Sequence, residues 1–270
     1  RPVLRGYAAG LACVISIKQC THLVQIPSSQ PHPMLLLAEL VQAHSRWAWP
    51  SLATGIAALA LLFALARLPR LPGALIVTAI GIALSPWLST LGVARVGPAA
   101  LMPALAAPEL PPAAEWLGTL QLGAALVLVL YAESYSAITA AAMRHGDPVQ
   151  RNRDLFALAV ANVASGALRG LPVGAGFTAT SANEGAGAQT RRAGLVAAAV
   201  SALFVIVCAP LIARIPLPIL SAIVIHAVSG AWAPAAFQPY FQWRRDRLLL
   251  IAAAIAVLAF GILNGLLIAV

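Results

Sequence analysis

The sequence predicts an all-α, polytopic membrane protein, and three observations carry that prediction. Hydrophobic residues make up 61% of the chain and charged residues only 9%, far from the balance of a soluble domain. The apolar residues fall in runs of about 17–25, the length an α-helix needs to cross hydrocarbon; an outer-membrane barrel would show shorter, alternating segments. The arginines gather in the breaks between runs, at Arg67 and Arg70, at Arg144, Arg151 and Arg153, at Arg191 and Arg192, and at Arg244, Arg245 and Arg247. This is the positive-inside pattern of cytoplasmic loops. It accounts for the formal net charge of +9 without a nucleic-acid-binding face, which would interleave basic and aromatic residues on one surface.

Taken in order, the first span covers Val3–Cys20, and Ser28–Pro33 is a polar break. Met34–Trp47 carries Glu39, His44 and Arg46 and reads as an interfacial helix. Leu52–Ala66 is the next span; Pro72 then opens a helix to about Leu88, with proline at the favoured first position. Gly92–Ala114, rich in Pro and Ala, is the longest connection and is expected outside the cytoplasm. Trp116–Met143 spans, Arg144–Arg153 is the most polar loop, and Leu155–Arg169 is a short span. After a glycine-rich element, Arg191 and Arg192 start a span reaching about Ile212, followed by the short Ile215–Val228, an interfacial Trp232–Trp243 and the span Leu248–Leu263. The chain starts at Arg1 and stops inside the apolar run Gly265–Val270, so a piece of a longer protein is expected.

The glycine-rich element, residues 170–190, is the most informative stretch. It is small and hydroxyl-rich, yet lies between segments long enough to span. Irregular backbone is tolerated at membrane depth only where protein buries it or where it lines a cavity. If residues 174–190 count as one crossing, all four arginine clusters fall on one side, which makes the element a half-span. A short helix starting there aims its first N–H groups and positive dipole end into the cavity, an arrangement that holds anions. Phe177, Thr178, Ala179 and Thr180 form its first turn, and Gly174 and Gly176 let the backbone approach a ligand. Small-residue helix packing is the competing explanation of the glycines.

Glu133 is the acidic residue deep in a span, where an ionisable group is a functional hypothesis by default. Low-dielectric surroundings favour a carboxyl's neutral form, so Glu133 suits a reversible proton carrier. Sodium would need several oxygens; Ser136 offers one, but position 137 is Ala. A proton is therefore preferred to Na⁺. Asn162, Gly166 and Arg169 share helical spacing, with Asn162 expected to hydrogen-bond toward the broken element; Asn183 and Thr190 are expected to brace it. His226, inside a span, reads as a satisfied core histidine, and Lys18 snorkels from the end of the first span. Cys13, Cys20 and Cys208 lack metal-ligand spacing. No nucleotide-binding loop, zinc motif or nucleophile elbow is found, so neither an enzyme nor a cofactor or metal is expected.

At these residues the sequence resembles the transmembrane domain of the sulfate permease (SulP) family. The family pattern Pro-Val-Thr-Gly-Ser-Phe-Ser-Arg-Thr-x-Val-Asn-x-x-Ala-Gly-x-x-Thr stands here as Pro172-Val173-Gly174-Ala175-Gly176-Phe177-Thr178-Ala179-Thr180 and continues through Asn183, Ala186 and Gly187 to Thr190. Leu155–Asn162, Glu133–Ser136, Arg5–Gly10 and the closing Gly265-Leu-Leu-Ile also match. The resemblance implies two inverted seven-segment repeats divided into core and gate domains. Residues 1–107 and 213–270 would be gate (segments 5–7 and 12 to the start of 14). Residues 113–212 would be core (segments 8–11), with the half-helix at about 174–190. The first four segments and a cytoplasmic STAS domain would lie outside the chain.

The resemblance further implies an anion site at Gly176, Phe177, Thr178, Ala179 and Thr180 and a coupling-ion position at Glu133 and Ser136, with Asn162 and Asn183 in support. It implies a secondary transporter of sulfate, bicarbonate or a related anion, working by alternating access in a bacterial inner membrane, homodimeric when full-length. One departure stands out: the family arginine beside the anion is Ala179 here. The alternatives are a uracil/xanthine-type permease of the same architecture, whose site uses acidic residues, and an anion channel, exchanger or motor-like protein.

Overall fold

A computed structural model describes residues 2–28, 30, 32–68, 71–97, 110–232, 237–238 and 244–269. Among the described residues the regular structure is helical, apart from one isolated bridge between Arg95 and Pro216. The chain divides into two compact units, residues 1–99 with 208–270, and residues 100–207.

The first unit contains α1 (Pro2–Val24), α2 (Pro33–Gln42), α3 (Trp49–Leu65), α4 (Gly73–Thr90), α9 (Leu217–Ser229) and α10 (Arg244–Ala269). Small residues decide how its helices meet. A side chain at Gly6 would collide with the carbonyl of Leu250, and a Cβ at Gly10 would lie 2.8 Å from the carbonyl oxygen of Ala254 and 2.9 Å from Cβ of Val257. Two glycines one turn apart thus let α1 lie directly on α10, the close approach that small-xxx-small spacing permits within membranes. Gly55 of α3 leaves room for Leu23 and Pro218, and Gly81 of α4 for Ile219. Around these contacts Ala58, Leu62, Val77, Ile219 and Ala222 form a buried core.

A second cluster of Val24, Leu36 and Leu40 seats α2 against the end of α1, with Trp47 packed on it and its Nε1 donating to the Leu40 carbonyl at 2.9 Å. The chain after α4 is tied to the start of α9: Val96 N–H donates to Ile215 O (3.0 Å) and Leu217 N–H to Ala94 O (2.9 Å). Arg95 also donates to the Ser85 carbonyl at 2.9 Å.

Several boundaries differ from the sequence expectation. Pro50 in the first turn of α3 starts that helix at Trp49, before Leu52. Pro72 is the N-cap of α4 rather than its first helical residue. α10 is broken at Gly261, whose φ of 84° is closed to most side chains; beyond it Gly265 comes back against the backbone of Val257. The interfacial segment Trp232–Trp243 lies largely outside the described residues. His226 is not the satisfied core histidine expected. Its ring meets Phe63 edge-on, with centroids 4.8 Å apart, and its buried Nδ1 has no hydrogen-bond partner among the described residues.

The second unit contains α5 (Trp116–His145), α6 (Arg151–Ala167), α7 (Phe177–Gly185) and α8 (Arg192–Ile212) as far as Val207. α5 has 30 residues and ends at Gly146, whose φ of 71° is the left-handed C-cap glycine favours. Among the described residues, four helices are long and apolar enough to cross a membrane: α1 from Arg5, α4, α5 with its preceding turn, and α8.

Candidate functional site

The glycine-rich element is a non-helical stretch leading into a short helix. Residues 170–176 have no regular secondary structure, and α7 begins at Phe177 with Gly176 as N-cap in a β conformation (φ −83°, ψ 129°). The helical part is thus shorter than the 174–190 expected. Pro172 removes an amide donor and favours extended backbone before it. At the other end α7 stops at Gly185, and Gly187 (φ 85°) turns the chain as Ala188 N–H closes on the Asn183 carbonyl at 3.1 Å.

Peptide groups outside a helix need other partners, and here side chains provide them at alternate residues of the stretch 171–175. Ser165 Oγ donates to the Leu171 carbonyl at 2.7 Å. Asn162 pairs with Val173 twice: its Nδ2 donates to Val173 O (2.8 Å), and its Oδ1 accepts from Val173 N–H (3.0 Å). Ser134 Oγ accepts from Ala175 N–H at 2.9 Å. Asn162 and Ser165, three apart on α6, share a helical face. Arg169 does not share that face as expected, because α6 ends at Ala167 and Arg169 has a left-handed φ of 55°.

Glu133 is exposed near the middle of α5, and no described residue hydrogen-bonds or ion-pairs with its carboxylate. Ser136, one turn on, donates its hydroxyl to the Ala132 carbonyl at 2.7 Å. Ala137 is buried at 2% exposure. With Ala175, Thr180, Asp147 and Asp154 it borders a cleft of about 290 Å³, whose two carboxylates make it a poor host for an anion. The side chains of Phe177 and Thr178 lie outside the described residues; Ala179 is exposed and Thr180 half-buried, its N–H donating to the Gly176 carbonyl at 3.0 Å. Asn183 is exposed.

Two features went unremarked in the sequence. Ser134 is one. The other is Glu184 at the end of α7, which takes Arg144 on one carboxylate oxygen and His145 on the other, both at 2.8 Å, and so ties α7 to the C-terminus of α5. The only acidic residue within the glycine-rich element was the available sign. At the start of α6, the Arg151 guanidinium donates to the Tyr135 hydroxyl (3.3 Å) and lies 5.4 Å from the centre of its ring. The hydrogen bond and the phenol's charge push the Arg151 pKa further up.

The profile of the sulfate permease family matches residues 1–266. The chain belongs to the sulfate permease family. A probable sulfate transporter of Mycobacterium tuberculosis is 29% identical over 276 residues, which covers all of this chain and 49% of that protein. Mouse prestin is 27% identical over 149 residues, covering 54% of this chain and 20% of prestin. This sulfate permease family chain therefore spans about half the length of the curated relatives it matches. Among solved structures, murine Slc26a9, an anion transporter in the inward-facing state, superposes with a TM-score of 0.84 at 17% identity, over all of this chain and 46% of that one. The transmembrane domain of the cyanobacterial bicarbonate transporter BicA gives 0.82 at 17% identity, over 98% of this chain and 69% of that one. The fold is shared with these transmembrane domains, and the protein is an integral membrane protein of the family.

Proposed function

We propose that the full-length protein is a secondary active transporter of small inorganic anions, coupled to protons and working by alternating access. In this reading residues 100–207 act as the core, and residues 1–99 with 208–270 as the gate. The observation that carries it is the non-helical stretch 171–175, whose alternate peptide groups are held by side chains of α5 and α6 and which delivers Gly176 as N-cap of α7. The helix's first amides have no intrahelical acceptor, and together with the dipole they attract negative charge.

Gly176, Phe177, Thr178, Ala179 and Thr180 are the proposed anion-binding residues, and Glu133 the coupling residue. A proton is preferred to Na⁺ because the Ser136 hydroxyl is turned onto its own helix and Ala137 supplies no oxygen. With Ala179 in place of an arginine, attraction falls to the helix terminus, which favours a singly charged anion such as bicarbonate beside sulfate. The similar proteins, a probable sulfate transporter and a bicarbonate transporter, span the same pair. Homodimerisation and a bacterial inner-membrane location belong to the same proposal.

The test is radiolabelled uptake by full-length protein in proteoliposomes, comparing sulfate, bicarbonate and dicarboxylates. Saturable uptake of one of the inorganic anions is expected. Uptake of uracil or xanthine instead, with none of the anions carried, would replace the proposal with the nucleobase-permease reading.

A further inference from the structure

We propose that Ser134 is a positioning residue that links Glu133 to the anion-binding start of α7. The inference rests on the transport reading above and assigns a new role within that site. Glu133 and Ser134 are neighbours in α5 but, about 100° apart around the helix, meet different surroundings. Glu133 is exposed, whereas Ser134 is buried at 1% exposure. The Ser134 hydroxyl oxygen takes the Ala175 N–H at 2.9 Å, and Ala175 immediately precedes the Gly176 N-cap. Gly174 eases the approach: a Cβ there would lie 3.0 Å from Ser134 Oγ and 3.1 Å from Leu130 Cδ2, so a larger residue would require those side chains to give by a few tenths of an ångström.

The other side-chain anchors of the stretch, Asn162 and Ser165, belong to α6. Among the described residues, Ser134 makes the hydrogen bond by which α5 itself holds the stretch. At its far end α7 is held by the same helix, through Arg144 and His145 to Glu184. A change in the charge at Glu133 that shifts α5 is therefore passed to residue 175, and from there to the amides of the first turn of α7, through a directional, partly buried bond. Packing alone would allow slip between the two elements; a hydrogen bond with an optimum near 2.9 Å resists it.

The experiment uses full-length protein in proteoliposomes and compares wild type with Ser134→Ala, Ser134→Thr and Asn162→Ala. Removing the acceptor leaves a partly buried N–H without its partner, so Ser134→Ala should raise KM for the transported anion about tenfold and abolish the response of uptake to an imposed pH gradient. Ser134→Thr keeps the hydroxyl and should stay within about twofold of wild type on both readouts. Asn162→Ala also loosens the stretch, but away from Glu133; it should raise KM while the gradient response remains. A purely structural Ser134 would lower the yield of folded protein and leave the gradient response of what folds unchanged.

The proposal is overturned if Ser134→Ala keeps wild-type KM and gradient response, or if Ser134→Thr is as impaired as Ser134→Ala. Should Ser134→Ala not fold, Ser134→Cys, similar in size with a weaker acceptor, takes its place, and a wild-type gradient response in that variant overturns the proposal equally. Wild-type protein that carries no anion at all would refute the transport reading instead, a result distinguishable from any of these.

Discussion

Ala179 is where the chemistry of this chain departs from its family pattern. An arginine there would place a full positive charge in the first turn of α7. The helix terminus already carries a partial positive charge, so such a side chain costs about 0.3–1 kcal/mol unless an anion offsets it. Ala179→Arg should therefore shift preference toward the doubly charged substrate. Competition assays in proteoliposomes should show the ratio of sulfate to bicarbonate uptake rising several-fold, and an unchanged ratio would remove Ala179 from the selectivity argument. Glu133 stood out in the sequence because a carboxylate in an apolar run is conspicuous. Ser134 did not, because serine is unremarkable in a membrane helix until the stretch it holds is seen. Asn162 is intermediate: its position on the helix before the glycine element suggested a polar contact, but the paired bonds to Val173 depend on the stretch being non-helical.

Among the elements, the helices were largely readable from length and hydropathy, and the errors lie where proline or glycine decides a boundary. Pro50 starts α3 early, Pro72 caps α4, and Gly261 breaks α10 inside a run that is apolar throughout. Periodicity could not reveal that last break, since both sides of the kink have the same composition. The Gly6 and Gly10 seam was visible only as a pattern, because its partner, α10, lies more than 230 residues further along the chain. Its energetic role is testable. In Gly10→Val the new Cβ would lie 2.8 Å from the Ala254 carbonyl oxygen, and overpacking of this kind costs about 1–3 kcal/mol. Thermal unfolding in detergent should show a Tm several degrees lower for this variant, whereas a control at Gly118, which has open space around it, should unfold like wild type. Equal values for the two variants would deny the seam its role.

For the molecule as a whole, the arginine clusters predict a single orientation by the positive-inside pattern. Single cysteines at Asp147 and Ala188, in a background without Cys13, Cys20 and Cys208, should react with an impermeant maleimide only from the cytoplasmic side. One at Ala94, in the connection after α4, should react only from the opposite side. Labelling of the Ala188 position from the side that labels Ala94, with Asp147 reacting from the other, would mean that residues 174–190 do not count as a crossing. Transport itself is tested most directly by accumulation. Full-length protein in proteoliposomes, given the anion found in the uptake screen and an inward pH gradient, should concentrate that anion above its external level. Glu133→Gln should equilibrate it without concentrating it. Flux that never exceeds equilibrium in the wild type, or gradient-driven accumulation that survives in Glu133→Gln, would contradict a proton-coupled transporter that works through Glu133.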